Sequence, residues 1–311
     1  MNKIGVYYSR SPQAQALAHE IEDWLSQKLE VWTSSAWDAE TTRRHIAATE
    51  LIVCVGGDGT VLQAARAVQP YPVPLLGIKV GRLGFLAELN PAEVRTKLQQ
   101  VLEGGGRIEE RAMLQARLLP EEGPQARVGR AEGDGAGASG ARVGRTGEEV
   151  YHALNDVVLE RGVSGKIVHI AVRVDDTPLA IYRADAVIVA TATGSTAYSL
   201  AAGGPILYPE AEEMVLTPVV PHLTSARSLV LPSTAVIEMR VEREPKVILH
   251  VDGEVNQELL VGEGMLVSAS PHRARFLRLD RPSDYYMRLG RRLEWLAENR
   301  FDPAHGSTGS P

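Results

Sequence analysis

The sequence predicts an α/β domain at the N-terminal end, then a β-rich, sandwich-like domain, with a C-terminal helix returning to the first. Three observations carry this expectation. Strand and helix signals alternate from Ile4 to Gly106, short β-branched runs punctuated by turn residues follow, and helical spacing returns only after Ser283. Alternating β and α elements imply a parallel sheet with helices on both faces.

Ile4–Tyr8 is a short β-rich run. Ser11 and Pro12 combine a helix cap with a first-turn proline, and Ala14–Leu29 continues with helical spacing. Leu51–Val55 is an unbroken apolar run of strand length, the pattern of a strand covered on both faces. Thr60–Val68 reads as a helix and Pro74–Ile78 as the next buried strand. Asn90-Pro91-Ala92-Glu93 supplies a cap, a first-position proline and an acid at the third helical position, opening a helix that should end at Gly104–Gly106. Beyond it, Val157–Leu159, Ile167–Val174, Leu179–Tyr182 and Ala186–Ala190 read as strands, with Ser195–Ala202 as the clear helix of that region. Ser283–Arg300 puts Tyr286, Leu289, Leu293 and Leu296 on one helical face. The expected domains are 1–105 and 106–280, with a helix at 281–300 packing on the first domain and a disordered tail at 301–311.

Residues 121–149 are rich in Gly, Ala and Arg and poor in large apolar residues. Such a segment cannot offset its ordering entropy and reads as a flexible insertion. Its Gly135-Ala-Gly137-Ala-Ser-Gly140 fits GxGxxG by letter. That pattern signals dinucleotide binding only between a strand and a helix, so here it carries nothing.

Composition narrows the function. The 311 residues are 44% apolar with a net charge of −6. There is no basic field for nucleic acid, although a local set of N–H groups can still hold phosphate. The one cysteine, Cys54, lies inside an apolar run and reads as a core residue rather than a reactive thiol. No signal-peptide pattern and no apolar run near the ~20 residues of a membrane span are present, so the expected compartment is the cytoplasm, with no membrane partner. Gly165-Lys166-Ile167 lacks the hydroxyl of a phosphate-loop motif, there is no HExxH, and Thr193 spoils a GxSxG around Ser195.

The sharpest local feature is Gly56-Gly57-Asp58-Gly59-Thr60, directly after the buried strand and opening a helix. Ligands of open parallel sheets bind beyond the strand carboxyl ends. Gly56, Gly57 and Gly59 let a ligand approach the main chain, and the N–H groups there, with Thr60, suit phosphate oxygens. Asp58 stands alone among them. A carboxylate in a phosphate cradle repels its ligand unless it takes a proton or holds Mg²⁺. The competing reading is a tight turn with Asp58 as helix cap. A second feature, Thr191–Ser199, is dense in hydroxyls and small residues, with Tyr198 able to stack on a ring; its alternative is a Ser/Thr helix cap. Asn155-Asp156 could bond ribose hydroxyls or a base edge, or could be a surface turn. His250-Val-Asp252-Gly253-Glu254, between Val247, Leu249, Val251 and Val255, is first of all a hairpin turn.

In order and spacing, GGDGT at 56–60, Gly77-Ile-Lys79-Val-Gly81-Arg-Leu-Gly84-Phe-Leu86, Asn155-Asp156 and Thr193-Gly-Ser-Thr-Ala-Tyr198 resemble the NAD kinase family from about Lys3 to Trp295, outside the insertion. The resemblance implies that the first domain is nucleotide-binding and that NAD is bound by residues of both domains. It implies phosphorylation of the adenosine 2′-hydroxyl of NAD to give NADP, with ATP or polyphosphate as donor and Mg²⁺ or another divalent cation. Asp58 would be the proton acceptor, with Gly59 beside the ligand. Asn155 and Asp156 would bind the nucleoside part. Asp185 would approach the nicotinamide end, with Arg183 two residues earlier among the NAD-binding positions. Thr196, Ala197, Tyr198, Ser199, Leu200 and Ala201 would line the dinucleotide site, and Lys166, Thr193 and Glu254 match contacts in some relatives. A homodimer or homotetramer is implied as well. Lys79 departs from the Asn of many relatives. Two alternatives stay open: another GGDG-type kinase acting on a lipid or sugar phosphate, and a dinucleotide-binding sensor without catalysis.

Overall fold

Apolar runs at Ile4–Tyr8 and Leu51–Val55 condense into a parallel sheet because helices cover both its faces. The computed structural model describes residues 1–81, 84–121, 150–162, 166–222, 226–243, 246–254 and 257–293. The insertion expected at 121–149 (apart from Glu121), the tail at 301–311 and the last part of the expected C-terminal helix, with Leu296, lie outside these residues. In chain order the elements are β1 (Lys3–Tyr8), α1 (Pro12–Leu25), β2 (Glu30–Ser35), α2 (Ala39–His45), β3 (Leu51–Gly56), α3 (Asp58–Ala67), β4 (Leu75–Lys79), α4 (Val94–Leu102), β5 (Arg107–Leu119), β6 (Val150–Ala153), β7 (Asp156–Arg161), β8 (Val168–Val174), β9 (Thr177–Ala184), β10 (Ala186–Ala190), α5 (Tyr198–Ala201), β11 (Met214–Val219), β12 (Leu229–Leu231), β13 (Ile237–Arg243), β14 (Val247–Val251), β15 (Gln257–Leu259), β16 (Gly264–Arg278) and α6 (Asp284–Arg292).

The chain divides into two compact units, Met1–Glu109 with Arg275–Pro311, and Glu110–Ala274, so β5 and β16 each begin in one unit and end in the other. In the first unit the strands run parallel in the order β2-β1-β3-β4, and the end of β16 joins β4 through Phe276 and Leu75. One face is covered by α1 and α4, whose Ala14, Ala18, Ile21, Leu25, Val94, Leu98 and Val101 pack with Ile4, Val6, Val53, Val55 and Ile78. Ile52 and Cys54 point to the other face, the side left for α3, which packs on β3 and β4. Burial pushes the Cys54 thiol far above its ordinary value, as suits a core side chain.

The local signals explain where the helices begin. The Ser11 hydroxyl accepts the Ala14 N–H at 3.2 Å, and Pro12 occupies the first turn of α1. Asn90 and Glu93 form a reciprocal capping box ahead of α4, through a 3₁₀ turn at Pro91–Glu93. The helix expected over Ala14–Leu29 stops at Leu25: Lys28 and Leu29 both donate their N–H to the Leu25 carbonyl, tightening the last turn before β2. β2, α2 and β5 are elements for which the sequence carried no expectation.

The second unit is a sandwich. A six-stranded antiparallel sheet runs β12-β11-β10-β7-β14-β15, and opposite it β16, β13, β8 and β9 pair antiparallel. Inward residues of the two layers form one core, with Val157, Leu159, Val187, Val189, Leu216 and Leu249 meeting Ile170, Val172, Ile237, Met239 and Val267. β14 and β15 form the expected hairpin, with Asp252 and Gly253 both at positive φ (49° and 73°). Among the described residues no helix is long and apolar enough to cross a membrane.

The C-terminal segment belongs to the first unit and is tied there by charge. Arg278 is 4% exposed; its Nε donates to Glu109 (3.0 Å), and its Nη1 donates to the Leu86 carbonyl (3.0 Å) and Glu88 (3.3 Å). Glu88 in turn accepts the N–H groups of Leu279 and Asp280 at 2.6 and 2.8 Å. On α6, the Arg292 guanidinium lies 4.7 Å from the Phe85 ring centroid. Losing the cation would leave Glu88 buried with main-chain donors alone. Arg278→Met should therefore lower the unfolding free energy by about 3 kcal/mol in urea denaturation. A loss under ~1 kcal/mol would mean the network is not holding this segment.

Candidate active site

The buried strand β3 ends at Gly56 and α3 starts at Asp58, so the glycine loop sits at the carboxyl edge of the parallel sheet. Gly57 is the N-cap of α3 and supplies no side-chain cap. Asp58 is not a cap either. Its Oδ2 accepts the Phe85 N–H (2.6 Å) and its Oδ1 the Leu86 N–H (3.0 Å), a link of nearly thirty positions in sequence. This explains Gly84, because a Cβ there would overlap the Asp58 carboxylate. Gly57 and Gly59 differ: a Cβ at either would meet nothing within 4 Å, so the main chain beside Asp58 faces open space. Each Asp58 oxygen keeps a further lone pair for a ligand proton. Lys79 stands in register with Gly56 and lines a hollow of about 410 Å³ with Gln13, Leu17, Val80, Gly81, Asn90 and Pro91.

In the second unit, β7 begins at Asp156 and a cavity of about 260 Å³ opens beside it, lined by Asn155, Asp156, Val158, Glu160, Ala197, Tyr198, His250, Asp252 and Gly253. The segment 191–199 braces this cavity. The Thr191 N–H donates to the Asn155 carbonyl (2.9 Å), and the Thr191 hydroxyl donates to the Leu154 carbonyl (2.5 Å). A Cβ on Gly194 would overlap the Asn155 carbonyl, so only glycine lets the two segments touch. The hydroxyls are committed within the protein: Ser195 to the Ala192 carbonyl (2.6 Å), Thr196 to the Thr193 carbonyl (3.0 Å), Ser199 to Thr217 (3.0 Å). The helix expected over Ser195–Ala202 is split into a 3₁₀ turn, Gly194–Thr196, and α5, with Ala197 between them at φ −105°, ψ −125°.

Asn155 and Asp156 behave differently. Asp156 is only 5% exposed, yet neither its carboxyl nor the Asn155 amide has a hydrogen-bond partner among the described residues. Burial first, and the Asp252 charge second, push the Asp156 carboxyl up to about 7. Tyr198 is also raised, by burial and then by the charges of Glu160 and Asp185.

The structure thus gathers Asn155, Asp156, Ala197 and Tyr198 around one cavity. Asp185, near Tyr198, is ion-paired with Arg161 at 3.2 Å. Thr193 is buried and accepts from Arg111 (3.4 Å), Ser199 is the buried residue of α5, and Leu200 is half-buried. Lys166, Arg183, Ala201 and Glu254 are exposed. Val158 and Glu160 line the cavity without having been expected from sequence, and so do His250, Asp252 and Gly253, which the sequence presented first as a hairpin turn. For Asp252 the sequence carried no signal beyond an Asp-Gly pair suited to a hairpin turn.

The fold and the glycine loop place the chain in the class of two-domain GGDG kinases. Residues 6–106 match the ATP-NAD kinase N-terminal domain family and residues 154–279 the ATP-NAD kinase C-terminal domain family. An NAD kinase of Dehalococcoides mccartyi is 35% identical over 303 residues, covering 96% of this chain and 99% of that protein. An NAD kinase of Chloroflexus aurantiacus is 36% identical over 297 residues, covering 94% and 99%. The chain belongs to the NAD kinase family. Among solved structures, yeast NADH kinase complexed with NADH superposes with a TM-score of 0.80 at 23% identity, over 97% of this chain and 89% of that one. An NAD kinase from Archaeoglobus fulgidus in complex with ATP gives 0.70 at 24% identity, over 96% and 100%.

The buried Asp156 also makes stability depend on pH. Its ordinary value is near 3.8 and its folded value about 7. Between the two, the folded chain keeps a proton that the unfolded chain has released, so stability falls as pH rises through this window. Below about pH 4 the penalty is absent, and above about pH 7 it is complete, of order 4 kcal/mol at most. Asp156→Asn should match the parent protein at pH 4 and exceed its stability at pH 8 by a few kcal/mol. Urea denaturation at the two pH values tests this, and an equal difference at both would remove Asp156 as the cause.

Proposed function

We propose that this protein is an NAD kinase, moving the terminal phosphoryl group of ATP, or of polyphosphate, onto the 2′-hydroxyl of the adenosine ribose of NAD to give NADP. Family membership and full-length relatives named NAD kinases support the reading. The observation that carries it is Asp58, a half-buried carboxylate held by two main-chain N–H groups and flanked by glycines that face open space.

A carboxylate is a weak base and a ribose hydroxyl a weak acid, so no alkoxide forms in advance. The transition state of phosphoryl transfer is loose, with the bond to the leaving nucleotide breaking ahead of attack. Asp58 then orients the hydroxyl and takes its proton late, as the new O–P bond forms. Such a group contributes about 10²–10⁴ in rate, or roughly 3–5 kcal/mol. The rest comes from positioning and from charge on the donor phosphates. In this reading Asn155 and Asp156 bind the nucleoside part, Tyr198 and Ala197 wall the dinucleotide, Gly56, Gly57, Gly59 and Thr60 serve the phosphates, and Lys79 brings a cation beside that loop. No group of three or more His, Cys, Asp or Glu able to hold a metal occurs among the described residues. A divalent cation, were one bound, would be held chiefly by the donor phosphates and would neutralise their charge. A homodimer or homotetramer in the cytoplasm is part of the same proposal.

A lipid or sugar-phosphate kinase would need an acyl-sized channel or a basic cluster for a second phosphate, and a sensor has no use for a carboxylate among phosphate donors. Incubation with NAD or NADH, ATP and Mg²⁺, followed by assay of NADP(H), separates these readings; absence of product with every donor rejects the kinase. Asp58→Asn should lower kcat at least about a hundredfold while NAD affinity stays within about tenfold. Asp156→Ala should raise the KM for NAD more than the KM for ATP. Steady-state kinetics on both variants decide, and near-normal turnover in the first would remove Asp58 from its role.

A further inference from the structure

Asp252 lies on the loop between β14 and β15, nearly a hundred positions from Asn155, and is 7% exposed. Its carboxylate accepts three successive main-chain N–H groups, those of Leu154 (3.0 Å), Asn155 (2.7 Å) and Asp156 (3.2 Å). Its own N–H donates to the Asp156 carbonyl at 3.0 Å. Three donors converging on one carboxylate fix the path of the chain through those residues, and charged acceptors make the stronger bonds. Asp252 sits at a left-handed φ of 49°, in the turn that brings it to that chain.

We propose that Asp252 is the positioning residue of the nucleoside site, holding the main chain of Asn155 and Asp156 so that their unpartnered side chains line the cavity. The proposal rests on the reading that those two residues bind the dinucleotide. A plain hairpin turn needs only Asn or Gly at this position. Neither would supply an anionic acceptor for the three N–H groups. The charge of Asp252 also acts on Asp156 directly, as the second cause of its raised value. The other titratable groups lining the cavity are Glu160 on β7, His250 on β14, 3.5 Å from Glu160, and Tyr198 on α5, which is influenced in turn by Arg161 and Asp185.

The test uses the full chain carrying Asp252→Gly, which keeps the backbone conformation and deletes the acceptor, and Asp252→Asn, which keeps size and turn preference and is the variant read if the first does not fold. Kinetics with NAD and with ATP are measured separately from pH 5 to 9, beside thermal melting. The KM for NAD should rise about tenfold or more while the KM for ATP stays within about twofold. The pH midpoint of the NAD KM should move down by about half a pH unit or more, because an anionic neighbour of Asp156 is gone. An unchanged NAD KM and midpoint in a folded variant overturns the proposal while the kinase reading stands. So does a parallel rise of both KM values in step with lost thermal stability. A parent protein that makes no NADP removes the premise itself.

Discussion

The Asp58 carboxylate, closed over by the N–H groups of Phe85 and Leu86, is the contact on which the first unit's site depends. It joins the first residue of α3 to the loop after β4, and that loop is gripped from its other side by Arg278 through the Leu86 carbonyl and Glu88. Hydrogen bonds to charged groups contribute about 1.5–3 kcal/mol each, and a carboxylate with two of them has little freedom to rotate. For the proton acceptor proposed above such fixity is a gain, since misplacement by an ångström costs orders of magnitude in rate.

The second unit uses the same device with a different result. The Asp252 carboxylate accepts three main-chain N–H groups. Asp156, beside it and without donors, keeps its proton to about pH 7. The two neighbouring acids thus differ in their surroundings: one is bonded to the main chain, the other faces the cavity. A protonated carboxyl offers a donor as well as acceptors, whereas a carboxylate only accepts.

What the sequence made legible was local. The buried run of β3, the cap and proline of α1 and the Asn90–Glu93 box each depend on neighbours within a few positions, and each formed as expected. The glycine loop was recognisable for the same reason. The partners of Asp58 and Asp252 were not, because they lie 27–28 and 96–98 positions away and are main-chain groups common to every residue. The trace such contacts leave in a sequence is indirect: Gly84 and Gly194 stand where any side chain would strike the Asp58 carboxylate or the Asn155 carbonyl. The hydroxyl-rich segment was less legible. Its composition suggested ligand donors, while most of those hydroxyls bond within the protein and shape the wall of the cavity.

That contrast separates scaffold from contact. Buried polar groups in folded proteins nearly all have partners, so the few without one need a reason. Around the second unit's cavity Thr191, Ser195, Thr196, Ser199 and Asp252 are bonded to the protein, whereas the half-buried Asn155 amide and the Asp156 carboxyl, which face the cavity, have no partner among the described residues. Burying Asp156 in that state costs stability at neutral pH, and no packing gain nearby requires an acid there, since Asn would fill the same volume. A carboxyl that lines a cavity beside a second, main-chain-bonded acid suits the proposed role, in which its partner arrives from solution and carries hydroxyls of its own.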